Sequence, residues 1–249
     1  MTSDLEVRRN GAVLEIHFNR PKKKNALTSD MYLALVEAFQ QAETDSEIRI
    51  ILLAGTLGAF TAGNDLGDFL NAALRDGDSA GMQFLRALAQ STRILIAAVD
   101  GVAIGIGTTM LLHFDLVIAG WESRFQLPFV DLALVPEAAS TLLLPRLVGH
   151  QRAAELLFLG DSFDADTARE LGLVNRVVDA GHALSAAQEV AARLAAKPPA
   201  ALALTKKLLR DTTGTVMDRI TAEGTHFAAR LQSEEAREVF RKFLSRAKI

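Results

Sequence analysis

Two glycine-centred turns are the first places where this chain offers backbone chemistry. Phe60-Thr61-Ala62-Gly63-Asn64-Asp65-Leu66 follows an apolar β-branched run, and Gly105-Ile106-Gly107-Thr108-Thr109 follows another and opens a helix. Each leaves free N–H groups just past a strand end, and the second adds the positive end of a helix dipole. Two such groups converging on one carbonyl would make an oxyanion hole; the competing reading is a pair of turns that need glycine only for close packing. The run Gly101–Gly107 looks like a nucleotide loop, but its glycines do not keep the G-x-G-x-x-G register. The five histidines, His17, His113, His150, His182 and His226, lack metal-ligand spacing such as H-x-x-x-H, and His113 sits in an apolar stretch as a core histidine would. No G-x-S-x-G elbow and no Walker motif occurs. With no cysteine, a thiol nucleophile, a disulfide framework and Cys-ligated metal are excluded. Main-chain donors and carboxylates remain. Glu137, behind Pro136, reads by itself as a carboxylate at a helix start, worth about 0.3–1 kcal/mol. Asp131 alternates with apolar Val130 and Leu132 and reads as outward-facing.

Elements must position these groups. Val13–Phe18 predicts a strand, and Thr28 an N-cap for a helix burying Leu33, Val36, Ala38 and Phe39. Ile48–Ala54, Leu95–Val99 and Leu116–Ala119 have the continuous apolar character of strands covered on both faces. Asp164–Leu171 predicts a short helix and Val174–Val178 a strand. From about Ser185 strands give way to alanine-rich helical periods, broken at Pro198-Pro199, Gly214 and around Ser233. The expected division is therefore an α/β core over 1–190 and a helical module over 191–249.

Composition narrows the partners. The 249 residues carry 27 Lys or Arg against 30 Asp or Glu, a net charge of −3, which disfavours nucleic-acid binding. Residues 193–249 run the other way, with 12 basic and 6 acidic residues. Those charges read either as solvated helix faces or as an anion-binding or subunit-packing surface. The apolar runs are too short or too interrupted to span a bilayer, and the charged first ten residues do not resemble a signal peptide. The terminal Ala247-Lys248-Ile249 lacks the leucine of a peroxisomal address. A soluble cytoplasmic protein, without nucleic-acid or membrane partner, is expected.

An ordered set of motifs gives the chain a family resemblance. Asn19–Leu27, Phe60–Leu66, Val99 through Asp115, Phe125–Pro128, Leu144–Gly149 and Ala168–Asn175 together resemble the enoyl-CoA hydratase/isomerase, or crotonase, superfamily. The resemblance implies a spiral of β-β-α units with a C-terminal helical module that drives assembly into a homotrimer or dimer of trimers. It implies an acyl-CoA thioester substrate and no cofactor or metal, coenzyme A being part of the substrate. It assigns oxyanion N–H groups to Asn64 and Ile106. Coenzyme A is expected along Lys22, Lys23, Lys24 and Ala26, against the backbone of Ala62, Asp65 and Leu66, with Phe243 and Arg246 of the last helix reaching a neighbour's nucleotide. The acyl pocket is expected to involve Phe129, Leu132 and the loop 67–82.

The resemblance also discriminates between reactions. The family's hydratases use two glutamates, where this chain has Thr109 and Phe129, and neither side chain supplies the acid and base that hydration needs. Pro128-Phe129 and Pro136-Glu137-x-x-Ser140 instead match the peroxisomal-type delta(3),delta(2)-enoyl-CoA isomerases, in which the residue at the position of Glu137 is the base. The expected reaction is a double-bond shift through a dienolate, with Glu137 catalytic and its apolar neighbours Phe129, Leu132, Leu134 and Val135 raising its pKa. A hydratase or other thioester-enolate enzyme, and a non-catalytic acyl-CoA-binding scaffold, are the alternatives.

Overall fold

The computed structural model describes residues 3–68 and 78–246, with the main chain alone at 246. The chain forms two compact units, Met1–Ala195 and Ala196–Ile249. The first opens with the antiparallel pair β1 (Leu5–Asn10) and β2 (Val13–Phe18), in register from Leu5 opposite Phe18 to Asn10 opposite Val13. Strand β1 was not expected, because its charges hide it. Only Leu5 is buried there, the pattern of an edge strand guarded by polar side chains.

From β2 inward the large sheet is parallel, through β3 (Ile50–Gly55), β5 (Ile94–Val99), β7 (Leu116–Gly120) and β10 (Arg176–Val178). Strand β5 is buried along its whole length, and so is β3 apart from half-buried Gly55, as their unbroken apolar runs require. After each of β3, β5 and β7 the chain adds a short strand to a second sheet: β4 (Ala59–Thr61), β6 (Val102–Ile104) and β8 (Arg124–Gln126), closed by β9 (Phe163–Asp164). Helices complete the turns, so the expected spiral of β-β-α units is the observed architecture. They are α1 (Ser29–Thr44), α2 (Ala80–Gln90), the short α3 (Ile106–Thr109), α4 (Ser140–Val148), α5 (His150–Leu159), α6 (Ala165–Glu170) and α7 (Ala183–Ala195). Helix α7 lies against β3, β5 and β7 and is continuous through residue 190.

Helix α1 matters most for the site. Thr28 caps it, its hydroxyl accepting from Met31 N at 3.3 Å, and Met31, Tyr32, Leu35, Ala38 and Phe39 form the inner face. Leu33, expected inside, is exposed. At 100° per residue it falls on the side opposite Met31 and Leu35, so periodicity overrides its hydrophobicity. The rings of Tyr32 and Phe39 pack on Phe84 of α2, with centroids 5.6 and 5.8 Å apart.

The second unit is helical: α8 (Pro199–Arg210), α9 (Val216–Leu231) and α10 (Glu234–Arg246), with breaks at the expected positions. Thr215 and Asp218 form a reciprocal capping box at the start of α9. An apolar groove of about 220 Å³ lies among Pro198, Ala201, Phe227, Leu231, Val239 and Phe240. Phe227 and Phe240 remain exposed. Among the described residues, no helix is long and apolar enough to cross a membrane, and no cluster of His, Asp and Glu could hold a metal ion.

Candidate active site

The two glycine turns meet because β4 and β6 pair side by side, Ala59 against Val102 and Thr61 against Ala103. At Gly63 and Gly107 they leave no room for a side chain. A Cβ on Gly63 would stand 2.8 Å from the Ile104 carbonyl oxygen, and one on Gly107 would stand 2.7 Å from Thr61 Cγ2. Close packing therefore accounts for these two glycines without engaging the N–H groups of the residues beside them, so the two readings of these turns are not exclusive.

Hydrogen bonds around the first turn decide which N–H groups are free. Leu27 N donates to Gly63 O and Asp65 N to Leu27 O, both at 2.8 Å, while Ala62 N donates to Lys24 O at 2.9 Å. Gly63 N donates to Thr61 Oγ1 at 3.1 Å. The N–H of Asn64, between these, has no acceptor among the described residues. Ile106 is the first residue of α3, so its N–H has no partner within the helix. These are the two N–H groups to which the family resemblance assigns the oxyanion role.

Asn25 locks the segment that frames them. It is fully buried in a left-handed conformation, its Oδ1 accepting from Arg20 N at 2.8 Å and its Nδ2 donating to Ala59 O at 2.7 Å. Its own carbonyl accepts from Thr61 Oγ1 at 2.7 Å. The side-chain amide thus ties two stretches of chain together, accepting from one and donating to the other, which is what an asparagine is needed for at this position.

Glu137 stands in the turn that leads into α4, three residues ahead of Ser140 rather than at a helix start. The dipole reading of this carboxylate is corrected accordingly, since that effect fades beyond the first turn. Ala138 and Ala139 both adopt left-handed φ, 55° and 54°, and His113 Nε2 holds the Ala138 carbonyl at 2.8 Å. His113 thus braces the loop. The Thr109 hydroxyl donates to Glu137 Oε1 at 3.3 Å. Burial pushes the Glu137 carboxyl up to about 7, with the Thr109 bond pulling in the opposite direction. Its sequence neighbours do not provide that burial: Leu132, Leu134 and Val135 are exposed. Phe129 is buried instead in a small cluster with Leu127, Leu144, Ala153 and Leu157. Thr109, which meets the carboxylate from 28 positions away, supplies a hydrogen bond rather than apolar cover.

Tyr32 was not singled out by the sequence, and it joins the parts. Its hydroxyl donates to Asn64 Oδ1 at 2.5 Å. Burial, then the nearby carboxylates Glu137 and Asp68, push its phenol well above the usual range, so it remains a donor. A tyrosine inside an amphipathic helix carries no sequence signal for such a role. Asp68 is occupied by Ser29, accepting from its N–H at 2.7 Å and its hydroxyl at 2.8 Å.

Of the residues expected to meet coenzyme A, Lys22, Lys23 and Lys24 are exposed, with Pro21–Lys23 forming a 3-10 turn. Ala26 and Ala62 are half-buried beside them, and Leu66 is exposed. Asp65 is committed to structure: Arg20 Nη1 pairs with it at 2.7 Å and holds it below the usual carboxylate range. Phe243 is exposed on α10. The Arg246 side chain, and residues 69–77 of the loop expected to shape the acyl pocket, lie outside the described residues. Asp131 is exposed, as expected.

The chain is similar to known proteins over most of its length. The chain is 34% identical to the 1,2-epoxyphenylacetyl-CoA isomerase of Escherichia coli (strain K12), over 94% of this chain and 92% of that one. It is 32% identical to the peroxisomal enoyl-CoA delta isomerase 3 of Mus musculus, over 98% and 79%. A solved structure from Magnetospirillum magneticum AMB-1, described as an enoyl-CoA hydratase/carnithine racemase, superposes with a TM-score of 0.95 at 41% identity, covering 99% and 97%. The sequence profile of the family described as enoyl-CoA hydratase/isomerase matches residues 8–249. With that match and an observed β-β-α spiral, the chain belongs to the enoyl-CoA hydratase/isomerase family, whose members act on acyl-CoA thioesters.

Proposed function

We propose that this enzyme shifts the double bond of a 3-enoyl-CoA to the 2-trans position, with Glu137 as the single acid–base group. The observation that carries the reading is the Glu137 carboxylate itself. It is poised near pH 7, braced by Thr109, and close enough to Tyr32 to raise the phenol's pKa. A base that must both take and return a proton works best near that value.

The reaction balances without a further reactant. Glu137 removes a proton from C2, and the C–H electron pair moves toward the thioester oxygen to give a dienolate. The N–H groups of Asn64 and Ile106 receive that charge, each contributing about 3 kcal/mol in the transition state. The proton then passes from Glu137 to C4, leaving the double bond between C2 and C3. Hydration would need a second acid–base group. Asp68, the other carboxylate acting on Tyr32, is occupied at the start of α1, which favours the isomerase over the hydratase. Coenzyme A would run along Lys22–Lys24 and Ala26, past Ala62 and Leu66, with Phe243 and Arg246 contributing across subunits of a homotrimer or dimer of trimers. Phe129 and Leu132 would border the acyl path.

Assays of Glu137→Gln with 3-enoyl-CoA and 2-enoyl-CoA test the reading. The expected outcome is a loss of about 10²–10⁴-fold in isomerisation. Strong hydration of 2-enoyl-CoA that survives the substitution would sink it.

A further inference from the structure

Thr109 is fully buried in the turn of helix that follows the Gly105–Gly107 bend. Its hydroxyl oxygen lies 3.3 Å from Glu137 Oε1 and also 3.3 Å from the Gly105 carbonyl oxygen. A threonine hydroxyl has one proton to give. The Gly105 carbonyl already accepts the N–H groups of Thr108 and Thr109, each at 2.9 Å, so both of its lone pairs are engaged. The carboxylate is therefore the better acceptor, and its charge strengthens the bond.

The donation reaches one carboxylate oxygen. An oxygen that already accepts a hydrogen bond is the weaker proton acceptor of the pair, so a proton arriving on Glu137 goes to Oε2. We propose that Thr109 is a positioning residue whose hydroxyl keeps Oε1 of Glu137 unprotonated, leaving Oε2 to take the substrate proton and return it. The inference rests on Glu137 being the base. One oxygen then serves both transfers: the C2 proton moves to Oε2 as the electron pair moves to the thioester oxygen, and Oε2–H gives the same proton to C4. The other titratable groups around Glu137 are Tyr32 on α1, protonated and bound to Asn64, with Asp68 beyond it, and His113, which holds the Ala138 carbonyl. Thr109 has no titratable group of its own. A short hydroxyl here can serve the carboxylate without competing for the substrate's proton.

The test compares the unmodified enzyme with Thr109→Val, which keeps the shape and removes the hydroxyl, and Thr109→Ser, which keeps the hydroxyl. Glu137 is titrated directly by NMR on protein labelled at the glutamate carboxyl carbons, with Glu137→Gln identifying its signal. The pH dependence of kcat/KM is measured in parallel with a 3-enoyl-CoA. In Thr109→Val the Glu137 midpoint and the acid limb of kcat/KM should both move to higher pH, by about one pH unit. At pH 6 that is roughly a tenfold loss of kcat/KM, with KM unchanged. Thr109→Ser should restore both curves. An unmoved Glu137 midpoint in Thr109→Val, while Glu137→Gln is inactive, overturns the role of Thr109 alone. Full isomerase activity in Glu137→Gln overturns the base and the Thr109 proposal with it.

Discussion

Burying a carboxylate has a cost whose sign pH reveals, and Glu137 carries that cost. Its folded-state value of about 7 lies above the ordinary 4.5, so between these two pH values the folded chain holds more protons than the unfolded one. Stability therefore falls as pH rises through this window. Replacing Glu137 with Gln removes the penalty. Denaturant unfolding should find Glu137→Gln more stable by roughly 3 kcal/mol at pH 8, and no different at pH 4. The same ionisation predicts that kcat/KM rises with pH and is half-maximal near pH 7, because the base must be charged. The acid limb should vanish with the residual activity of the Gln variant.

At the scale of elements, the turn between β8 and α4 is where conformation was traded for placement. Ala138 and Ala139 hold left-handed conformations that cost about 1–2 kcal/mol each for a residue with a Cβ. Ala139 is exposed, so its methyl group contributes little packing. Ala139→Gly should raise stability by roughly 0.5–1 kcal/mol after the added freedom of the unfolded chain is counted, measured by chemical denaturation. A loop freed at this point should also lower kcat, since it no longer holds Glu137 against Thr109. Elements with a strong period were readable in advance. The Thr28 cap, the buried runs of β3 and β5, and the breaks at Pro198-Pro199 and Gly214 each follow from local chemistry. Strand β1 was not readable, because an edge strand needs only one apolar residue. Leu33 is exposed because angular position, and not hydrophobicity, sets which side of α1 faces the core.

For the whole molecule, charge and apolar surface divide between two units. The net −3 of the full chain conceals the basic excess of residues 193–249. In the second unit Phe227, Phe240 and Phe243 are exposed, with Val216, Met217 and Leu244. So many large apolar side chains on two helices are costly in water. Under the proposed assembly, part of this surface is covered by another copy of the chain. Sedimentation should report a trimer or hexamer, and Phe240→Asp should shift the population toward smaller species at micromolar concentration. A monomer at all concentrations would remove the proposal.

The amino-acid sequence by itself determined the parts: two glycine turns with free amides, one proline-backed glutamate, no cysteine, and strands apolar enough to be covered on both faces. Those are local properties, set by residue type and spacing along the chain. Only the tertiary structure decided what surrounds each part. Burial brings Glu137 to about 7 although its neighbours Leu134 and Val135 are exposed, and the group that pulls the other way, the Thr109 hydroxyl, stands 28 positions away. Tyr32 reaches Asn64 across 32 positions and senses a carboxylate more than 100 residues later. Desolvation and hydrogen-bond geometry depend on distances in space, and the pairing of β4 with β6 brings the two turns together.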